Sequence, residues 1–350
     1  MDEIHEYYSQ ELLISDLSEL NTRFHRKREN AVKLSQSFYR IGLNKRAQLT
    51  QECGTMLSFG HETDISDTFT IKGRLQRANF CRDKLCPMCN WRRSVKCFHQ
   101  LSQVLDLIQD KYSFIFLTLT VVNPSGSDLR ATVDQMAHGW KNFIKRKHFK
   151  EVVKGYSKTL EITYNKKADT YHPHYHVLIA VSKSYGKKGK YLKHSEWLQM
   201  WRDCFGDQNI EFVNVQFVKD KFDKNQALRE FEIEQRKSVS ETANYGSNIT
   251  GALLEVTKYS VKDKDYLHDN VNLTDKVVST LASEISGVRM ISFGGIIKKI
   301  RYDLNQDDPE DGDLTIVDGE KLNPMMQRLI MRYEWQIGAY VLVDSYVENC

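Results

Sequence analysis

The sequence predicts an α+β chain with a central antiparallel sheet and helices packed on it. β-Branched and aromatic runs alternate with helical ones, which is the pattern of a layered sheet-and-helix domain. Two of those runs are joined by a connection of hairpin length, so antiparallel pairing is expected. Hydrophobic residues make up 41% and charged residues 27% of the chain, which excludes wholesale disorder. Its 350 residues correspond to about two domains at ~150 residues each.

Taken in order, residues 1–50 read as helical, with Leu12, Leu13, Ile14, Leu17 and Leu20 at mixed spacing and no glycine before Gly42. Residues 51–100 hold most of the cysteines and read as loops and short strands. Lys111–Val122 (KYSFIFLTLTVV) is expected to be a buried strand. NPSGSD then turns the chain, with Ser127 or Asp128 capping a helix toward His148. Gly155–Asn165 and His174–Val181 are further strands, Ser195–Phe205 a helix, and Glu211–Val218 a strand. A charged helical stretch follows Lys224, with a second helix around Thr250–Lys264 and a strand or turn at MISFGGIIKKI. Asn305–Asp318, dense in aspartate, reads as a solvated loop.

Charge is unevenly spread. Asn21–Thr50 carries eight Lys/Arg against Glu29 alone, Thr70–His99 eight against Asp83 alone, and the last fifty residues eleven acids against four Lys/Arg. A basic front half raises the odds of a polyanionic partner, although charge alone leaves a solvated surface the favoured explanation. The longest apolar run, Phe114–Val122, is about half the length that spans a bilayer, so no membrane segment is expected. The acidic start MDEIHEYY lacks a secretory h-region, and a cytoplasmic or nuclear location is expected by default.

Cys53, Cys81, Cys86 and Cys89 form an ordered set. Two thiolates separated by two residues, with Pro87 between them, make a turn that can bite a tetrahedral metal. With Cys81 and Cys53 they complete the closed four-sulfur geometry of structural Zn²⁺. Buried free thiols are the plainer alternative, and Cys97 or His99 would substitute for a Cys53 that proves too distant. Arg82, Lys84, Arg92 and Arg93 flank the set and are expected to meet a phosphate backbone.

In YHPHYHVLI (171–179), side chains alternate, placing His174 and His176 on one strand face. They can share a divalent ion, with Glu161 on the preceding strand as a third ligand. His172 is in line, but Pro173 disturbs the alternation. Two histidines and a carboxylate leave coordination positions open for a phosphoryl oxygen. Further on, Glu255 and Tyr259 are four residues apart, on one helix face, and Lys262 three beyond. A phenol beside a carboxylate and an ammonium suits phosphoryl transfer, though such residues also decorate ordinary helices.

Together, FLTLT (116–120), LEITYN (160–165), HPHYHVLI (172–179), EVTKYSVKDKDY (255–266) and FCRDKLCPMCNWRR (80–93) resemble the plasmid rolling-circle replication initiators. These are single-tyrosine endonucleases with a histidine–hydrophobe–histidine (HUH) motif, from small Gram-positive plasmids. The resemblance spans roughly 50–300 and implies a ferredoxin- or RRM-like endonuclease core with a zinc-binding N-terminal insertion. Four segments are expected: a basic helical segment (1–50), a cysteine module (51–105), the nicking-joining domain (106–300) and an acidic extension (301–350). The resemblance further implies that His174, His176 and Glu161 hold Mg²⁺ or Mn²⁺. Tyr259 would attack the scissile phosphate to give a 5′-phosphotyrosine and a free 3′-OH, and Glu255 would activate water at termination. Lys262 and Lys258 would steady the phosphate. The implied partners are origin DNA, single-stranded or in a hairpin at the nick, with a host helicase and polymerase; a homodimer is left open, and the implied location is the bacterial cytoplasm. Trp91, Tyr164 and Trp140 are expected to stack on the single strand. Competing readings are a transposase or relaxase with the same core, and a zinc-containing DNA-binding regulator without catalysis.

Overall fold

The computed structural model describes residues 24–61, 74–187, 191–218, 221–236, 248–258, 260–316 and 327–347. Tyr259 and the leucines of residues 12–20 lie outside the described residues. The chain divides into two compact units, one of residues 1–92 with 313–350 and one of residues 93–312. Among the described residues, no helix is long and apolar enough to cross a membrane.

The first unit contains helix α1 (24–40), α2 (Asn44–Glu52) and strands β1 (Met56–His61) and β2 (Arg74–Ala78). It also holds the start of α3 (Pro87–Ile108) and, from the C-terminal segment, β8 (Gln327–Glu334) and β9 (Ala339–Val347). The four strands form an antiparallel sheet in the order β2-β1-β8-β9. Phe24 of α1 meets the rings of Trp91, Phe59 and Tyr340 edge-on. The fully buried Arg28 donates to the carbonyls of Thr50 and Cys53 at 3.3 and 3.2 Å. It adds a donor to main-chain acceptors at the end of α2, where helix carbonyls run out of intrahelical partners.

The region around the cysteines is more helical than the sequence suggests. Pro87, with its fixed φ and no N–H, opens the 22-residue α3, so the Cys-Pro-Met-Cys turn is the first turn of a long helix.

The second unit is built on β3 (Tyr112–Thr120), β4 (Val153–Asn165), β5 (Thr170–Ser182), β6 (Val213–Val218) and β7 (Ile291–Gly294). They form a five-stranded antiparallel sheet in the order β6-β3-β5-β4-β7. This is the α+β, antiparallel architecture expected. On one face sit α4 (Leu129–Phe143), α5 (Lys147–Val152) and α6 (His194–Phe205), packed through Trp140, Phe143, Phe149, Trp197, Trp201 and Tyr175. Gly139 allows α4 and α6 to close up, since a Cβ there would stand 3.2 Å from Cys204 O and Phe205 Cα. Trp140 and Trp91 are therefore buried core residues, not the exposed stacking platforms the sequence suggests.

Remaining helices are α7 (Lys224–Arg236), α8 (Ile249–Val256), α9 (Val271–Glu284) and α10 (Gly295–Asp303). Asp128 stands at the N-cap of α4 but accepts from Ser125 Oγ at 2.6 Å and caps no helix N–H. The segment after α10 is folded rather than solvated. Glu310 is buried and accepts the N–H groups of Met290 and Ile291 at 3.0 and 3.1 Å, while Asp307 receives the buried Lys96 ammonium at 2.5 Å. Asp308 and Asp311 of the same segment pair with the exposed Arg289.

Candidate active site and metal centres

The β4–β5 register sets Glu161 directly opposite His174, and Thr159 opposite His176. Because directly opposed residues share a face, Glu161, His174 and His176 converge. Glu161 Oε2 lies 2.9 Å from His176 Nε2 and 3.4 Å from His174 Nε2, and the two Nε2 atoms are 3.1 Å apart. His174 Nδ1 is 3.0 Å from the carbonyl of His172. A carbonyl only accepts, so Nδ1 carries the proton and Nε2 presents its lone pair to the cluster.

The donor set tests whether a divalent ion fits. Neighbouring ligands of an octahedral ion at ~2.1 Å stand about 3.0 Å apart, close to the three separations here. Two imidazole nitrogens and one carboxylate suit such an ion and leave positions open.

Electrostatics are shaped by burial and by Lys262. Burial alone would raise the Glu161 carboxyl, but the neighbouring His174 and His176 and the Lys262 charge hold it well below the usual carboxylate range. Lys262 Nζ lies 2.5 Å from Glu161 Oε1, and this pairing outweighs burial to raise its own pKa. Burial, reinforced by the neighbouring His174, pushes His172 down to about 4, and its Nδ1 meets Asn123 Oδ1 at 2.6 Å. Asp265 is pushed up to about 6 by burial, against the pull of Lys262.

Glu255 and Lys262 do not share a helix face as their spacing suggests. α8 ends at Val256, and Lys262 follows in an irregular stretch leading to a 3₁₀ turn at Asp263–Asp265. The reason lies in backbone bonds to the sheet: Val256 O accepts from Thr159 Oγ1 at 2.6 Å and Ser260 O from Ile162 N at 2.8 Å. These bonds tie the chain on either side of Tyr259 to β4, beside Glu161. Glu255 Oε2 stands 3.9 Å from His176 Nε2, and its Oε1 pairs with Lys258. Glu255 thus reaches the histidine cluster from the last turn of α8, with Lys258 paired to it, and Lys262 from the irregular stretch docked on β4.

In the first unit, Cys53, Cys81, Cys86 and Cys89 come together, with sulfur separations of 3.5 Å (Cys53–Cys89), 3.6 Å (Cys53–Cys86) and 3.7 Å (Cys81–Cys89). A tetrahedral ion with bonds of ~2.3 Å sets its sulfurs about 3.8 Å apart, so the set fits Zn²⁺ closely. Arg82, with φ 61°, turns the loop so that its N–H donates to Cys89 Sγ at 3.2 Å, while Cys81 N donates to Cys53 Sγ at 3.4 Å. Such amide donors stabilise thiolates. Arg46 grips Asp83 with two bonds, 2.8 and 3.1 Å, and anchors the same loop.

Arg92 and Arg93 do not present themselves to a phosphate backbone. Both are buried, Arg92 donating to the carbonyls of Leu314 and Thr315 and Arg93 to that of Glu310. Lying within α3 rather than in a loop, they face the core. Arg82 is exposed and Lys84 half-buried. Tyr164 is half-buried, with its hydroxyl donating to Asp169 Oδ1. The sequence did not show that Phe116 and Thr118 flank His176 or that Asn123 meets His172; for the first two the available signal was the alternation in FLTLT, and for Asn123 there was none.

A profile of the replication-protein family matches residues 72–341. A replication protein (Protein rep) of a Bacillus species is 35% identical over 300 residues, covering 84% of this chain and 91% of its own. A Protein rep of Staphylococcus aureus is 38% identical over 230 residues, 65% of this chain and 86% of its own, and one of Streptococcus pneumoniae serotype 2 is 33% identical over 290 residues, 81% and 80% respectively. No solved structure gives a significant match. With the second unit's strand order and the paired histidines in hand, and the profile running through both and through Cys81, Cys86 and Cys89, the chain belongs to the replication-protein family, that of the plasmid rolling-circle replication initiators.

Proposed function

We propose that this initiator opens plasmid replication by nicking one strand of the origin through Tyr259. The phenol oxygen bonds to the scissile phosphorus as the bond to the 3′ oxygen breaks. The 5′ end stays on the enzyme as a phosphotyrosine, and the free 3′-OH primes a host polymerase, with a host helicase opening the duplex in the bacterial cytoplasm. Because one phosphodiester replaces another, the bond energy is kept for rejoining.

The observation that carries this reading is the docking of residues 256 and 260 on β4 beside Glu161, which tethers both flanks of Tyr259 to the histidine strand's neighbour. Glu161, His174 and His176 would hold Mg²⁺ or Mn²⁺, which when bound polarises a phosphoryl oxygen. Lys262 neutralises Glu161 and lies where a phosphate's charge would be met, with Lys258 beside Glu255. Glu255 accepts the proton of a water at termination, so the last cleavage ends in hydrolysis rather than a trapped adduct. Cys53, Cys81, Cys86 and Cys89 would hold a structural Zn²⁺, with Arg82 and Lys84 near the DNA backbone.

The test is incubation with 5′- and 3′-labelled single-stranded origin DNA and Mn²⁺, followed by a denaturing gel. A protein-linked fragment bearing the downstream 5′ end, abolished by chelation, is expected. Cleavage without a linked fragment, or cleavage indifferent to chelator, overturns the reading.

A further inference from the structure

The alternation in Phe-Leu-Thr-Leu-Thr (116–120) is left without a role by the cleavage reaction. On β3, Leu117 and Leu119 are fully buried opposite Val177 and Tyr175. Phe116, Thr118 and Thr120 take the other face, where Thr118 lies opposite His176 and Thr120 opposite His174. Phe116 stacks on the His176 ring, centroids 5.5 Å apart and planes 19° from parallel. Thr118 Oγ1 stands 3.3 Å from His176 Nδ1. Thr120 Oγ1 donates to Phe212 O at 2.7 Å, tying β3 to the approach to β6.

We propose that Thr118 is a positioning residue for the divalent ion, its hydroxyl setting which nitrogen of His176 carries the proton while Phe116 fixes the ring plane. The proposal rests on the metal reading of the Glu161–His174–His176 cluster. His174 needs no such device, because the His172 carbonyl already holds its proton on Nδ1. His176 faces a different situation. With no cation present, its Nε2–H can donate to Glu161 Oε2, 2.9 Å away, and Nδ1 then requires a donor. With a cation present, Nε2 must offer its lone pair, and Nδ1–H requires an acceptor. A hydroxyl serves as either, so the heavy atoms stay in place while the proton changes nitrogen. A valine of the same shape serves as neither, and a serine as both. This accounts for a threonine, at a half-buried strand position that suits any β-branched residue.

The test measures Mn²⁺ binding directly, from the electron paramagnetic resonance signal of free Mn²⁺, on the full chain without DNA. Thr118→Val is expected to weaken binding about tenfold or more, and Thr118→Ser to stay within about threefold of wild type. Thr118→Ala, which removes the hydroxyl without adding bulk, is measured alongside and carries the same expectation as the valine variant. His176→Ala sets the level of lost binding. If both hydroxyl-free variants bind as wild type does while His176→Ala has lost the ion, the metal site stands and the role of Thr118 falls. If wild type binds no better than His176→Ala, the metal reading fails and takes the proposal with it.

Discussion

A carboxylate oxygen and two imidazole nitrogens within 3.4 Å of one another are stable in a buried site when positive charge lies among them. Lys262 supplies part of that charge from the Glu161 side. Glu255 stands just outside the cluster, close enough to reach a water there, but it is no member of the ligand set. Replacing it should therefore separate the two halves of the reaction. Glu255→Ala is expected to nick origin DNA yet accumulate covalent adduct about tenfold or more over wild type. Unchanged adduct levels on a denaturing gel would remove it from termination. A different residue, Lys158 on β4, tests the core beneath the site. Its ammonium sits 3.6 Å from the centroid of Tyr175, and burial, opposed only by Glu310, pushes it down to about 7. In the unfolded chain it holds its proton to about 10.4. Between those values the unfolded state binds the extra proton, so stability rises with pH from about 7 to about 10.4 on this group's account. Lys158→Met should abolish that rise and stabilise the neutral-pH fold by about 1–4 kcal/mol, as read from urea unfolding across the pH range. A variant whose pH slope matches wild type would refute this.

At the level of elements, legibility follows the range of the interactions. β3, β4 and β5 were readable because buried strands concentrate β-branched and aromatic residues, and the pairing of Glu161 with His174 followed from a short hairpin. α3 was hidden because cysteines and arginines suggested a loop, although Pro87 at its first position was the available clue. The strands β8 and β9 are masked by acidic surroundings, and β1, the partner of β8, lies some 270 residues away in sequence. Helical spacing in the sequence continues past Val256, where α8 ends because Thr159 and Ile162 take the backbone onto the sheet instead. The cysteine cluster, by contrast, was visible from spacing, and its cohesion is testable. Cys86→Ser should remove bound zinc, measured by mass spectrometry of metal content, and lower the first unit's stability by several kcal/mol. Full stability with metal absent would show that the thiols simply pack.

For the molecule as a whole, charge distribution and family membership agree on a nucleic-acid partner, and the residues of the proposed chemistry lie in the second unit. That unit brings paired imidazoles, two carboxylates and two lysines around one edge of the β4–β5 hairpin. The first unit supplies a cysteine knot braced by Arg28 and Arg46. What unites the account is a bond between one side chain and one DNA end. The most direct measurement is to digest the origin-DNA adduct with trypsin and nuclease and locate the nucleotide-bearing peptide by mass spectrometry. The account predicts a nucleotide remnant on Tyr259, joined through its phenol oxygen, and none in Tyr259→Phe. A remnant on any other residue, or an adduct that persists in the phenylalanine variant, would contradict it.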